Sequence, residues 1–168
     1  MIHVCSLTHL HQVVETSRAR HVVSLMKDVE LVRRPQGILP ANHLLLRMDD
    51  VAEPIDGFVA PCVEHVDSLI AFVRSWDRVS PMVVHCYAGI SRSTAGAYVA
   101  ACTLSPGRSE LAIARELRRL SVTATPNPRI VAIADELLGR SGRMVEAIAA
   151  IGSGQIAYEA VPFRLGLE

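Results

Sequence analysis

Cys86 and Arg92 stand with five residues between them, Tyr87-Ala88-Gly89-Ile90-Ser91, and Ser93 follows the arginine. A cysteine, a short loop with a glycine and an arginine are the parts of an anion cradle with a nucleophile at its floor. The apolar run Met82-Val83-Val84 leads into the loop, and the alanine-rich run Thr94-Ala95-Gly96-Ala97-Tyr98-Val99-Ala100-Ala101 leads out of it. The first reads as a buried strand and the second as a helix, so the loop opens a helix N-terminus. A phosphate monoester brings about two negative charges and three acceptor oxygens. Backbone N–H groups along Tyr87, Ala88, Gly89, Ile90, Ser91 and Arg92 can converge on it. Gly89 can take a positive φ at no steric cost, which lets the loop curl. Arg92 can offer a planar fork to two oxygens at once. Cys86 would then lie below the phosphorus for in-line attack. Donors that hold a phosphate also favour an anionic sulfur. The Ser93 hydroxyl could hydrogen-bond that sulfur when it must leave. His85 lies one residue earlier, so on a strand its side chain points away from that of Cys86. It reads as an organiser of the loop backbone and not as a proton acceptor.

Phosphoryl transfer from a phenol or alkanol leaves an oxyanion that needs a proton, and a positioned carboxylic acid can supply it. Asp49, Asp50, Glu53 and Asp56 follow the leucine-rich run from His43 to Met48. Asp56-Gly57 after Pro54-Ile55 also reads as an ordinary turn. Further on, Thr125-Pro126-Asn127-Pro128 has the form of a helix N-cap with proline at the first helical position.

These residues need a scaffold. Ile2 to Ser6, His21 to Leu25, His43 to Met48 and Pro81 to His85 read as strands. Thr8 is expected to cap a helix to Arg18. Val59, Cys62, Val63, Val66, Leu69, Ile70, Val73 and Trp76 form one stripe, which predicts a helix from Val59 to Trp76. Further helices are expected from Arg92 to Thr103, from Ser109 to Leu120, after Asn127, and from Gly142 to Ile151. The tail from Gly152 carries no pattern. Strands alternating with helices predict an α/β fold: a small central, mostly parallel sheet of four to five strands with helices on both faces. The loop at the carboxyl end of a strand is where such folds place ligands. The length of 168 residues predicts one domain, with a core at about 2–139 and a C-terminal helix and tail at 140–168.

Lys+Arg and Asp+Glu are equal at 17 each, so nothing points to a nucleic-acid partner. No apolar run is long enough for a membrane span, and the N-terminus does not read as a signal peptide. Cys5, Cys62, Cys86 and Cys102 have neither metal-site nor disulfide-scaffold spacing, so no metal is expected. Cys5, Cys62 and Cys102 read as core fillers, with a disulfide to an oxidised Cys86 as the other reading. A thiolate nucleophile points to the cytoplasm. Arg115, Arg118 and Arg119 read as a solvated helix face, with substrate docking as the alternative.

The stretch His85-Cys86 to Arg92-Ser93 resembles the signature of the cysteine-dependent protein tyrosine phosphatase superfamily. Its Gly-Ile-Ser-Arg-Ser ending is most similar to the dual-specificity branch. The likeness spans roughly Leu44 to Leu138, and the order aspartate then cysteine separates it from the low-molecular-weight phosphatases. The resemblance implies a phosphomonoester hydrolase with a cysteinyl-phosphate intermediate, no metal and no cofactor. It implies Cys86 as nucleophile and Arg92 as phosphate clamp. The family's acid is an aspartate on a mobile loop a few tens of residues before the cysteine, which favours Asp50 and keeps Asp49 and Asp56 as alternatives. In the family an asparagine at the place of Asn127 ties down the phosphate loop. Tyr87, Ala88, Gly89 and Ile90 lack the lysines of phosphoinositide-directed relatives. The substrate stays open between phosphotyrosine, phosphoserine or phosphothreonine in a protein and small phosphate esters, phosphoinositides among them. A pseudo-phosphatase module that captures phosphorylated partners and a thiolate-based sulfur or arsenate redox enzyme are the competing readings.

Overall fold

Strand β4 (Met82–Cys86) is buried along its whole length. A strand with no solvent side must be covered on both faces, and its alternating side chains then divide the core in two. Met82, Val84 and Cys86 belong to the larger apolar cluster, and Val83 to the smaller one. The computed structural model describes residues 1–167; Glu168, the last residue of the expected domain, lies outside the described residues. Around β4 stand β1 (Ile2–Ser6), β2 (His21–Met26), β3 (His43–Arg47) and β5 (Phe163–Leu165). The sheet order is β3-β2-β4-β1-β5. β1, β2, β3 and β4 run parallel, and β5 pairs antiparallel with β1 on the edge. This is the mostly parallel α/β sheet that the strand–helix alternation predicts.

The two faces are covered unequally. Helix α1 (Leu10–Ser17) packs Leu10, Val13 and Val14 over the smaller cluster with Cys5 and Val22. The other face carries α2 (Val63–Ser75), α3 (Arg92–Leu104), α4 (Glu110–Leu120), α5 (Pro128–Leu137) and α6 (Arg143–Ile151). Helix α3 is central, and every residue from Arg92 to Cys102 is buried. Its alanines let it lie close to the sheet while the other helices pack around it. Met144 and Ala147 of α6 and Leu165 of β5 join the same cluster. No helix among the described residues is long and apolar enough to cross a membrane.

Four expectations change. Helix α2 begins at Val63, because Pro61 drives the preceding residue out of the helical region. Val59 and Val63 are accordingly exposed, although both fit the apolar stripe. The N-cap of α1 is His9 and not Thr8, and it makes no side-chain capping bond. Arg118 is not a free cation: it donates to the carbonyls of Ala124, Gly152 and Ser153. The patternless tail contains β5.

A polar thread crosses the sheet on the α1 side. Ser24 stands opposite His85 in register. Its Oγ is 2.6 Å from His85 Nε2 and 2.8 Å from His43 Nε2. His85 Nδ1 lies 3.4 Å from the Cys86 carbonyl. A carbonyl only accepts, so Nδ1 carries the proton and Nε2 is free to accept. The Ser24 hydroxyl therefore donates to His85 and accepts from His43. Burial pushes both imidazoles down to about 4, so both are neutral at pH 7.

This thread makes stability depend on pH. His85 binds a proton more readily in the unfolded chain, where it titrates near 6.5, than in the folded one. Its contribution is complete above about pH 6.5 and is lost as pH falls toward 4, by up to about 3 kcal/mol. Urea unfolding at pH 7 and pH 4.5 should show this loss in wild type. His85→Gln should show a shallower loss by about 2 kcal/mol. Parallel slopes for the two proteins would contradict the assignment.

Candidate active site

Cys86 ends β4, and α3 begins at Arg92. Only five residues link strand to helix, so the loop must turn sharply. Gly89 makes the turn at φ 75°. A Cβ at this position would stand 2.9 Å from the carbonyl carbon of Cys5 and from the nitrogen of Ser6. Glycine is thus required twice, by its dihedral and by the backbone of β1 beneath it.

Four of the five loop carbonyls are bonded to donors outside the loop. Tyr87 C=O accepts from the Leu7 N–H (3.1 Å), and Ala88 C=O from the Ala160 N–H (2.9 Å). Ile90 C=O accepts from the Thr125 N–H (3.0 Å) and the Thr94 hydroxyl (2.5 Å). Ser91 C=O accepts from the Ala95 N–H (2.9 Å) and the Asn127 N–H (3.4 Å). There are no cis peptides among the described residues. In a trans peptide the next N–H points opposite to the carbonyl. The N–H groups of Ala88, Gly89, Ser91 and Arg92 therefore face the concave side of the loop. That set of donors, at the start of a helix, is an anion site.

Cys86 is buried, and its Sγ lies 3.2 Å from Ser93 Oγ. Arg92 is 7% exposed. Its Nη1 donates to the Met48 carbonyl at 2.7 Å, which fixes the guanidinium against the end of β3. Its Nε is buried and makes no hydrogen bond among the described residues. A buried guanidinium donor without an acceptor is costly, by about 1–3 kcal/mol, and is suited to a ligand oxygen.

The two adjacent aspartates have separate surroundings. Asp49 Oδ2 accepts from the Val59 N–H at 2.8 Å, and Oδ1 is 3.3 Å from Lys27 Nζ. The Val59 N–H, followed by Lys27, holds this carboxyl below its usual range. Asp49 is a brace that closes the loop from 49 to 59. Asp50 points the other way. Its Oδ1 accepts from Ser91 Oγ (2.7 Å) and Asn127 Nδ2 (2.8 Å), and its Oδ2 is 3.9 Å from Arg92 Nε. Asp56 and Glu53 are exposed, Asp56 in a turn closed by the Phe58 N–H on the Ile55 carbonyl.

Asn127 does two jobs at once. Its Oδ1 caps α5 by accepting from the N–H groups of Arg129 and Ile130, while its Nδ2 holds Asp50. Cys5 and Cys102 are buried, and desolvation pushes both thiols up to about 12. The charge of the neighbouring Cys86 sulfur adds to the rise at Cys5. Neither is a thiolate near neutral pH. Cys62 caps α2, with Sγ 3.2 Å from His65 Nδ1. No group of three or more His, Cys, Asp or Glu among the described residues is placed to hold a metal ion.

Sequence reasoning missed Lys27, Met48, Ser24 and Ala160. Each acts through a contact far away in the chain, and two of them act through the backbone. None has a local pattern that could have disclosed it.

Gly89→Ala should destabilise the fold by about 2–3 kcal/mol, from the left-handed dihedral and the clash with β1. It should also weaken binding of inorganic phosphate by at least about tenfold, because the donors no longer converge. Urea unfolding and calorimetric titration with phosphate read the two effects. Wild-type phosphate affinity in this variant would contradict the cradle.

No family model matches the sequence, and no curated protein matches it. Several solved structures match its fold. The structure of PTPMT1 in complex with PI(5)P is similar at a TM-score of 0.61 and 14% identity, over 91% of this chain and 95% of that one. Human DUSP28 is similar at 0.61 and 18%, over 90% and 95%. The human tyrosine phosphatase-like serine/threonine/tyrosine-interacting protein is similar at 0.63 and 16%, over 83% and 92%. At these identities the likeness is one of fold: the chain has the fold of the cysteine-dependent protein tyrosine phosphatases, in its dual-specificity form.

Proposed function

We propose that the chain is a phosphomonoester hydrolase of the dual-specificity protein tyrosine phosphatase type. The supporting observation is the Cys86 sulfur at the floor of a loop with every bonded carbonyl turned outward, beside a buried Arg92 Nε with no hydrogen-bond acceptor. In the first step the Cys86 thiolate attacks phosphorus and the bond to the leaving oxygen breaks. The loop N–H groups and Arg92 hold the equatorial oxygens. Asp50 gives its proton to the leaving oxygen. Its Oδ2 is suited to this, because Oδ1 already holds two donors. In the second step a water attacks the cysteinyl-phosphate, Asp50 takes its proton, and the thiolate leaves toward the Ser93 hydroxyl. Phosphate is released and the enzyme is restored.

The pocket wall favours one phosphate over several. Lys27 and Arg92 share it with Asp28, Asp49 and Asp50. One dianion is matched by the loop and Arg92, while a second phosphate would meet carboxylates. This supports a singly phosphorylated side chain of a protein as substrate over a polyphosphorylated inositol. Four free cysteines and a thiolate nucleophile fit a reducing compartment, so we assign the enzyme to the cytoplasm, as one catalytic domain over 1–168.

Turnover of p-nitrophenyl phosphate in the presence of EDTA tests the reading. Cys86→Ser should abolish turnover and keep phosphate binding. Asp50→Asn should lower kcat by about 10²-fold, most of all with poor leaving groups. A wild-type protein that binds phosphate without turning the ester over would be a capture module. An Asp50→Asn variant with wild-type kcat would remove Asp50 from the acid's role.

A further inference from the structure

We infer that the C-terminal strap, residues 152–162, forms a second subsite of the candidate active site, and that it takes an apolar side chain flanking the phosphorylated residue of a polypeptide substrate. This rests on the phosphatase reading and adds the substrate class.

The strap backbone is pinned along its length. Arg118 holds the carbonyls of Gly152 and Ser153. The Gly154 N–H donates to Thr125 Oγ1 at 3.0 Å, and the Gln155 N–H to the Val122 carbonyl at 2.9 Å. Gly154 lies so close to Thr123 that a Cβ would stand 2.5 Å from its carbonyl carbon. The Ala160 N–H then reaches the phosphate loop at Ala88, and β5 follows. Between these ties Ile156 and Tyr158 are fully exposed, and Val161 is nearly so. Apolar side chains held in water by an ordered backbone mark a contact surface. Its ordering entropy is lost before any ligand arrives, which favours binding.

The subsite is continuous with the phosphate site. A cavity of about 340 Å³ lies between strap and loop, lined by Leu7, Thr8, Tyr87, Ala88, Tyr158 and Glu159. Tyr87 also lines the pocket that contains Asp50 and Arg92. Tyr87 is thus the residue that the two share. A small ester seated over Cys86 ends at Tyr87, whereas a polypeptide crosses it and reaches Tyr158. The charged residue of the second cavity is Glu159, which accepts from the Ser6 hydroxyl and lies 3.5 Å from His9 Nδ1. Its carboxylate repels an acidic neighbour of the phosphorylated residue. With Glu159 already engaged by Ser6 and His9, Leu7, Ala88 and the two tyrosines offer their surface to an apolar flanking side chain, and the carboxylate rejects an acidic one.

Steady-state kinetics on the full chain test this, with p-nitrophenyl phosphate and two short phosphotyrosine peptides that differ only in leucine or glutamate flanking the phosphotyrosine. Wild type should turn over the leucine peptide with a kcat/KM about tenfold above the glutamate peptide. Tyr158→Ala should lower the ratio of kcat/KM on the leucine peptide to that on p-nitrophenyl phosphate by about tenfold, mainly through KM. An unchanged ratio, or indifference of wild type to the flanking residue, would overturn the subsite while turnover of p-nitrophenyl phosphate leaves the phosphatase reading standing. No turnover of any substrate by wild type would bring down both.

Discussion

The structure depends on one constraint: the carbonyls of a short, sharply turned loop must find donors outside it. A carbonyl left without a partner would turn inward or cost about 1–3 kcal/mol. Either outcome spoils an anion site, since one inward oxygen cancels the attraction of a neighbouring N–H. The donors come from four parts of the chain: Leu7 after β1, Ala95 in α3, Thr125 and Asn127 before α5, and Ala160 in the tail. The concave side is therefore a product of tertiary structure. β1 must be the neighbour of β4 for Leu7 to arrive, and the tail must return across the molecule for Ala160 to do so.

The same reasoning separates the two aspartates. Asp49 and Asp50 follow a strand, where successive side chains leave on opposite sides. One is drawn to Lys27 and the Val59 N–H, and the other to Ser91 and Asn127. Like charges on neighbouring residues would raise each other's proton affinity if both entered the pocket by the same path. The Val59 N–H and Lys27 prevent this by drawing the Asp49 carboxylate away from Asp50 and balancing its charge, and the Lys27 ammonium also lies 5.1 Å from the centroid of the Phe58 ring. A single lysine at the end of β2 thus fixes two points of the loop that carries Asp50.

Local patterns made the strands, the loop motif and most helices legible in the sequence. β4 is a continuous apolar run, and the Asn127-Pro128 pair marks the start of α5. The start of α2 departs from the apolar spacing because of Pro61, whose effect on the preceding residue is steric and local. The tail is a different case. Its strand has three residues, and two of its other ties run between backbone groups, to Val122 and Ala88. Backbone donors and acceptors are the same in every residue type, so no side-chain pattern can announce them. Arg118 looks like a solvated cation for the same reason, because its acceptors are carbonyls.

The thread from His43 through Ser24 to His85 adds a link between the two halves of the site. β3 carries the aspartate loop at its end, and β4 carries Cys86. Sheet hydrogen bonds join both strands to β2, but they do not distinguish one protonation state from another. The Ser24 hydroxyl does. It can donate only once, and the Cys86 carbonyl fixes the direction by taking the Nδ1 proton of His85. Protonated His85 would present N–H groups on both sides, and Ser24 would have to turn its own proton toward His43, which already offers one. Two donors would then face each other across 2.8 Å unless His43 moved its proton to Nδ1. Neutral His85 is thus the state that satisfies the thread without a change of tautomer at His43, and the Cys86 carbonyl keeps its partner just below the nucleophile.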